Sequence, residues 1–148
     1  MNDRRSHARA WLAKAESDRL AARRLRDAGG PFDAVCFHAQ QACEKALKAV
    51  LAWAEVEIPR THNLEDLQAR VLTTIAPSTT DALRSFDLSE LTPYAVETRY
   101  DVEFWPDAET AEAAMGSATR VVDLVSAFLE SPSQGGPPPG EQSPPPKV

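Results

Sequence analysis

The stretch from Pro31 to Glu55 constrains this chain more than any other. It reads PFDAVCFHAQQACEKALKAVLAWAE, and Ala, Leu, Lys, Gln and Glu lose little freedom in a helix. Each residue turns about 100° around such a helix. On that wheel Val35, Ala39, Ala42, Cys43, Ala46, Leu47, Val50 and Trp53 gather on one side. His38, Gln41, Lys45 and Lys48 fall within about 80° of one another beside them, with Glu44 and Phe37 flanking. A helix of this length with one apolar side needs other helices to cover it.

The rest of the chain supplies them. Residues 4–28 are rich in Ala, Leu and Arg, and Trp11, Ala15, Asp18, Ala22 and Leu25 recur at helical spacing. Gly29-Gly30 stops this first helix and Pro31 opens the second, a link short enough to make the two antiparallel neighbours. Ile58-Pro59 closes the second helix. Thr61 or Asn63 then caps a third, with Leu64, Leu67, Val71 and Leu72 on its apolar side. Pro77-Ser78-Thr79 breaks it. A further helix is expected over about residues 80–99 with an interruption near Pro93, followed by an extended loop RYDVEFWPD. The last helix runs from near Asp107 to Glu130, with Ala111, Ala114, Ala118, Val121, Val122, Val125 and Phe128 turned inward. No segment alternates as a strand does. The expected fold is all-α: an up-and-down four-helix-type bundle with an extra short helix over residues 1–130. Residues 131–148, PSQGGPPPGEQSPPPKV after Ser131, have almost nothing to bury and are expected to form a disordered Pro/Gly-rich tail.

Charge and cysteine usage narrow the function classes. The net charge of −6 argues against a general nucleic-acid coat protein. Its distribution is uneven: residues 1–28 carry Arg4, Arg5, Arg9, Lys14, Arg19, Arg23, Arg24 and Arg26, whereas residues 97–112 carry six carboxylates against Arg99 alone. Either these are solvated helix faces that complement each other, or the basic first helix meets RNA or the acidic surface of a partner. Cys36 and Cys43 are two helical turns apart, roughly 10 Å of rise, too far for a disulfide, whose Cα atoms lie within about 7 Å. They match no zinc pattern, so reduced, buried thiols are expected, as in a cytoplasmic protein with neither metal nor cofactor. The first residues MNDRRSHARAW carry no apolar signal core, and no window reaches the apolar length of a membrane span.

The line of His38, Gln41, Lys45 and Lys48 reads in two ways. It is either a solvated face or a groove in which an imidazole and two ammonium groups hold phosphate oxygens while the amide reads a base or ribose. A resemblance favours the second. WLAKAESDRLAA (Trp11 to Ala22), FHAQQACEKALKAVL (Phe37 to Leu51), RTHNLEDL (Arg60 to Leu67, a Thr-His-x-Leu-x-x-Leu pattern) and YAVETRYD (Tyr94 to Asp101) occur in the order found in the HEPN family. This resemblance spans about residues 11–130. It implies a helical bundle that forms a homodimer, binds a nucleotide or acts on RNA, and is often paired with a minimal nucleotidyltransferase as toxin and antitoxin. The ligand-binding residues it points to are His38, Gln41, Lys45, Lys48, His62 and Arg99.

Many members of that family are metal-independent ribonucleases with an arginine four to six residues before a histidine. This chain departs from the motif: its histidines are His7, His38 and His62, and Arg99 is followed by none. Cleavage through a 2′-hydroxyl needs a group that moves a proton near neutral pH, which histidine supplies and arginine does not. Catalysis would rest on a non-standard site, with Arg99 and Tyr100 the weak candidates. Three readings stand at this point: a nucleotide- or RNA-binding module, a toxin ribonuclease of unusual site, and a purely structural dimeric adaptor. His62 is equally readable as a loop-locking side chain, Arg99 with Tyr100 as a buried salt bridge and packing ring, Trp105 as a core or dimer anchor, and Trp11 and Trp53 as core.

Overall fold

A computed structural model describes residues 3–130, which form six helices: α1 (Asp3–Asp27), α2 (Phe32–Trp53), α3 (Leu64–Thr74), α4 (Pro77–Arg84), α5 (Tyr94–Tyr100) and α6 (Ala108–Glu130). No strand occurs among the described residues. The expected tail over residues 131–148 lies outside them. The chain is all-α, as its periodicity predicts, and no described helix is long and apolar enough to cross a membrane.

α2 is the central element and packs against α1, α3, α5 and α6. Fifteen of its 22 residues are buried, Gln40, Glu44 and Lys48 among them. It is therefore less one-sided than its wheel suggests, and part of its polar edge lies inside the molecule. α1 reaches α2 through Ala8, Ala15 and Ala22, all fully buried at seven-residue spacing. Small side chains at that repeat let two helices lie close along one seam. α6 closes the other side with Ala111, Ala114, Ala118, Val121, Val122, Val125 and Phe128.

The helix ends explain where boundaries fall. Gly29 at φ 88° follows α1 in the left-handed region, and the amide of Gly30 donates to Leu25 O at 2.8 Å. That is a Schellman stop, which favours glycine. α2 ends the same way, but with Glu55 at φ 59° and the Val56 amide on Leu51 O. The second helix thus stops at Trp53, before Ile58-Pro59, and an acidic residue fills the position where glycine would signal the end. For α3 the cap is Asn63, whose side chain accepts from the Asp66 amide at 3.0 Å, while Thr61 Oγ1 accepts from the Asn63 amide.

The helix expected over residues 80–99 with an interruption near Pro93 is α4 and α5, and the break between them is wider than expected, running over residues 85–93. Pro77 opens α4 rather than only breaking α3, since its missing N–H costs nothing in a first turn. The Gln68 side chain donates to Leu83 O and Phe86 O at 2.8 Å each, taking carbonyls that a continuing helix would need. Asp87 accepts from the Ser89 amide and hydroxyl, a local turn that competes with helix. The bundle thus carries two extra short helices instead of one. Arg99 and Tyr100 end α5 and do not belong to an extended loop; the non-helical stretch covers residues 101–107.

Candidate functional site

The structure supplies what the helical wheel lacks, namely the groups facing the polar edge of α2. Asp18 of α1 reaches that edge between two of its members. His38 Nδ1 lies 2.8 Å from Asp18 Oδ1, and Lys45 Nζ donates to Asp18 Oδ2 at 2.6 Å. An ionised carboxylate only accepts, so Nδ1 carries the hydrogen and Nε2 of His38 is the nitrogen left for another partner. Burial raises the Asp18 carboxyl, but hydrogen bonds from His38 and Lys45 outweigh it and hold the group below its ordinary value of 3.8.

That direction sets a pH prediction. A lowered folded-state value adds stability above the unfolded value, and the gain is lost as pH falls through the folded one. The melting temperature should therefore fall as pH drops below about 4, and Asp18→Asn should flatten part of that acid limb. Asp87, held down by the Ser89 hydroxyl, and Asp107, held down by the Thr110 amide, add to the same limb. An unchanged acid limb in Asp18→Asn would mean that this clamp does not form.

Beside Lys45 on α2, Glu44 holds a second cluster. Its carboxylate accepts from Lys48 Nζ at 3.0 Å and Gln40 Nε2 at 3.3 Å, and His62 Nδ1 lies 2.8 Å away. Glu44 and Lys48 are buried, whereas the His62 ring is 55% exposed. Gln40, fully buried, also donates to His62 O at 3.0 Å, and Gln41 donates to Gln40 Oε1 at 2.7 Å. Lys48 further lies over the Trp11 ring at 5.6 Å. His62 is thus joined to α2 and does lock the loop before α3, while its outer nitrogen side stays open.

Arg99 approaches the other end of the edge. Its Nε and Nη2 donate to Ala95 O at 3.1 and 2.9 Å, and its guanidinium lies 5.3 Å from the Phe37 ring centre and 5.8 Å from that of Tyr100. Phe37 in turn meets His38 edge-on at 5.3 Å. Arg99 and Tyr100 are exposed, so they are not the buried salt bridge and packing ring that the sequence allows. Among the described residues no carboxylate pairs with Arg99. Trp105 is 75% exposed and is no core anchor, whereas Trp53 is buried edge-on against Phe128.

The six ligand-binding candidates thus divide into three groups: His38 with Lys45 on Asp18, His62 with Lys48 on Glu44, and Arg99 on Phe37, with Gln41 linked to Gln40. Sequence reasoning missed Asp18, Glu44 and Gln40 as the organising groups. A signal existed for Asp18, an acid inside an otherwise apolar stripe, and for Glu44, which stands four residues from both Gln40 and Lys48. Cys36 and Cys43 are free and buried. Burial pushes their thiols up to about 11 and about 12, so neither is a nucleophile near neutral pH. A hollow of about 270 Å³ between the α4–α5 turns and α6 is lined by Asp87, Glu90, Tyr94, Asp107 and Glu109, a sign of charge that repels phosphate.

The sequence profile of the HEPN domain matches residues 8–128. This chain belongs to the HEPN family. HEPN proteins are a nucleotide- and RNA-related family of helical domains. Among solved structures, TT1696 from Thermus thermophilus is 27% identical, with a TM-score of 0.62 over 85% of this chain and 98% of that one. ST0689, an archaeal HEPN homologue, is 22% identical, with a TM-score of 0.60 over 84% of this chain and 98% of its own, a likeness of fold. No curated protein is significantly similar to the chain.

Proposed function

We propose that this HEPN protein is a dimeric cytoplasmic module that binds a nucleotide or RNA along the exposed margin of α2, beside Arg99. The observation that carries this reading is the state of Arg99. The other cations of the edge are each held by a carboxylate, but the Arg99 guanidinium is exposed, fixed on Ala95 O and seated between Phe37 and Tyr100. A planar cation on an aromatic base suits a phosphate or a stacked nucleobase. The remaining hydrogens of Lys45, the outer nitrogen of His38 and the open side of His62 extend that surface, with Gln41 available for hydrogen bonding. Lys48, buried on Glu44, supports the site from beneath. The family further supports pairing with a minimal nucleotidyltransferase in a toxin–antitoxin-type system, which co-purification of the two proteins would test.

The reading predicts that ATP, dATP or a short single-stranded RNA raises the unfolding temperature of the wild type. At a hundred times its dissociation constant a ligand adds about 2.7 kcal/mol. Arg99→Ala should remove most of the shift while lowering the unliganded melt only slightly, because its side chain is exposed and its hydrogen bonds go to Ala95 O of its own helix. No shift at millimolar ligand, or an equal shift in Arg99→Ala, contradicts the reading.

A second reading, a ribonuclease of non-standard site, has one observation in its favour. Arg99 and His38 both contact Phe37, which places an arginine and a histidine on one aromatic ring although they lie far apart in sequence. Growth arrest on expression that Arg99→Ala abolishes, accompanied by RNA cleavage, would support it; harmless overexpression with intact RNA counts against it.

A further inference from the structure

Four large apolar side chains stand in solvent within ten residues of one another. Val96 is 52%, Tyr100 73%, Val102 84% and Trp105 75% exposed. Val96 and Tyr100 share one face of α5, four residues apart, and the other two follow in the turn after it. Among them stand Glu97, Asp101 and Glu103, for which no described cation forms an ion pair. An exposed cluster of this kind, with apolar side chains interleaved with acidic ones, has the character of a contact surface.

The chain itself carries the complement. Arg19 and Arg26 of α1 are taken up by Asp123 and Glu112 of α6. Arg5, Arg9, Arg23 and Arg24 are exposed and pair with no carboxylate among the described residues. These four, with the exposed Ala13 and Leu20, fall within about 100° of one another on the helix. The same arc holds Glu16 and Asp27, which are paired with Arg19 and Arg26, so the outward face of α1 offers four further arginines beside Ala13 and Leu20, while the patch at residues 96–105 interleaves apolar and acidic side chains. Among the described residues neither these four arginines nor Glu97, Asp101 and Glu103 form an ion pair within their own copy.

We infer that the patch at residues 96–105 of one copy receives the outward face of α1 of a second copy. The inference rests on the dimeric reading above and names the surfaces that would make it. Trp105 and Tyr100 bury against Ala13 and Leu20, and the arginines of α1 meet Glu97, Asp101 and Glu103. Two such contacts related by a twofold axis close a dimer; a single head-to-tail contact would continue into longer assemblies.

The test is sedimentation of the full chain over a concentration series, with circular dichroism confirming that each variant keeps its helices. Trp105→Glu should weaken self-association about thirtyfold or more, as expected for loss of a central aromatic anchor. Arg23→Glu with Arg24→Glu should weaken it comparably, and added salt should weaken the wild type. Asp101→Arg with Glu103→Arg, placed in the Arg23→Glu/Arg24→Glu background, should restore association to within about tenfold of wild type. A wild type that is monomeric throughout overturns both the contact and the dimeric reading. A dimer that neither set of variants disturbs overturns the contact and leaves the dimer standing. Association lost in Trp105→Glu but unmoved in Arg23→Glu/Arg24→Glu also overturns the contact, because the patch then meets a surface other than α1.

Discussion

Replacing Glu44 by leucine is expected to cost about 3–5 kcal/mol, the range for breaking a buried pair and stranding its partner. In a domain of this size that lowers the melting temperature by about 10–20 °C. The cause lies in Lys48, buried beside Glu44 with its ammonium 3.0 Å from the carboxylate. With Glu44 gone, the ammonium loses its carboxylate and keeps only the Trp11 ring, while Gln40 and His62 each lose a partner. The double variant Glu44→Leu/Lys48→Met should recover much of the loss, since it removes both charges at once and keeps the volume. Thermal and urea unfolding of the three proteins decide this. A single-variant cost below about 1 kcal/mol would show that Lys48 reaches water and that the cluster is a surface pair.

The second large effect is at Trp53. It ends α2, packs edge-on against Phe128 of α6 at 5.2 Å, and lies under the Arg4 guanidinium at 4.6 Å. One side chain thereby ties the three longest helices together at one end of the bundle. Trp53→Ala is expected to cost about 3–5 kcal/mol through lost burial and the cavity left behind. Trp53→Phe should cost clearly less, because it keeps the ring against Phe128. Urea denaturation reads both, and an unchanged m-value shows that the native state has not loosened. A near-neutral Trp53→Ala would mean that α2 and α6 hold together without this end of the core.

These two residues also mark what the sequence makes legible. Trp53 is visible in it because core packing repeats with the helix period. Val35, Ala39, Leu47 and Val50 on α2, and Ala111 to Phe128 on α6, are visible for the same reason, and so is the all-α class. Glu44 is visible only as a flank of the polar edge. Its role comes from His62 and from its own helix neighbours Gln40 and Lys48, and a wheel drawn for one helix does not show which polar positions a loop will cover. Asp18 poses the same difficulty from the other side: its partners His38 and Lys45 lie on α2, twenty or more residues away. Pro93 marks the break before α5 in the sequence, but its early start after Arg84 is hidden because it depends on Gln68, a tertiary hydrogen-bond donor from α3. The stop at Glu55 is hidden because an acidic residue there adopts the backbone that glycine usually takes.

For function, the structure moves attention from the middle of the polar edge to its margin. Lys48 is enclosed, Lys45 and His38 are shared with Asp18, and Arg99 is the exposed cation set on aromatic rings at the edge of the same surface. His38 and Arg99, far apart in sequence, both contact the Phe37 ring.

The most direct test is fluorescence anisotropy of a labelled short single-stranded RNA, with unlabelled ATP as competitor, against wild type and Arg99→Ala at several salt concentrations. The account predicts binding by wild type that weakens with salt, as phosphate contacts require, and that ATP displaces. It predicts that Arg99→Ala weakens binding and lowers the salt slope by about 1, the signature of one lost phosphate contact. Absence of binding by folded wild type at low salt, or identical affinity and slope in Arg99→Ala, would contradict it.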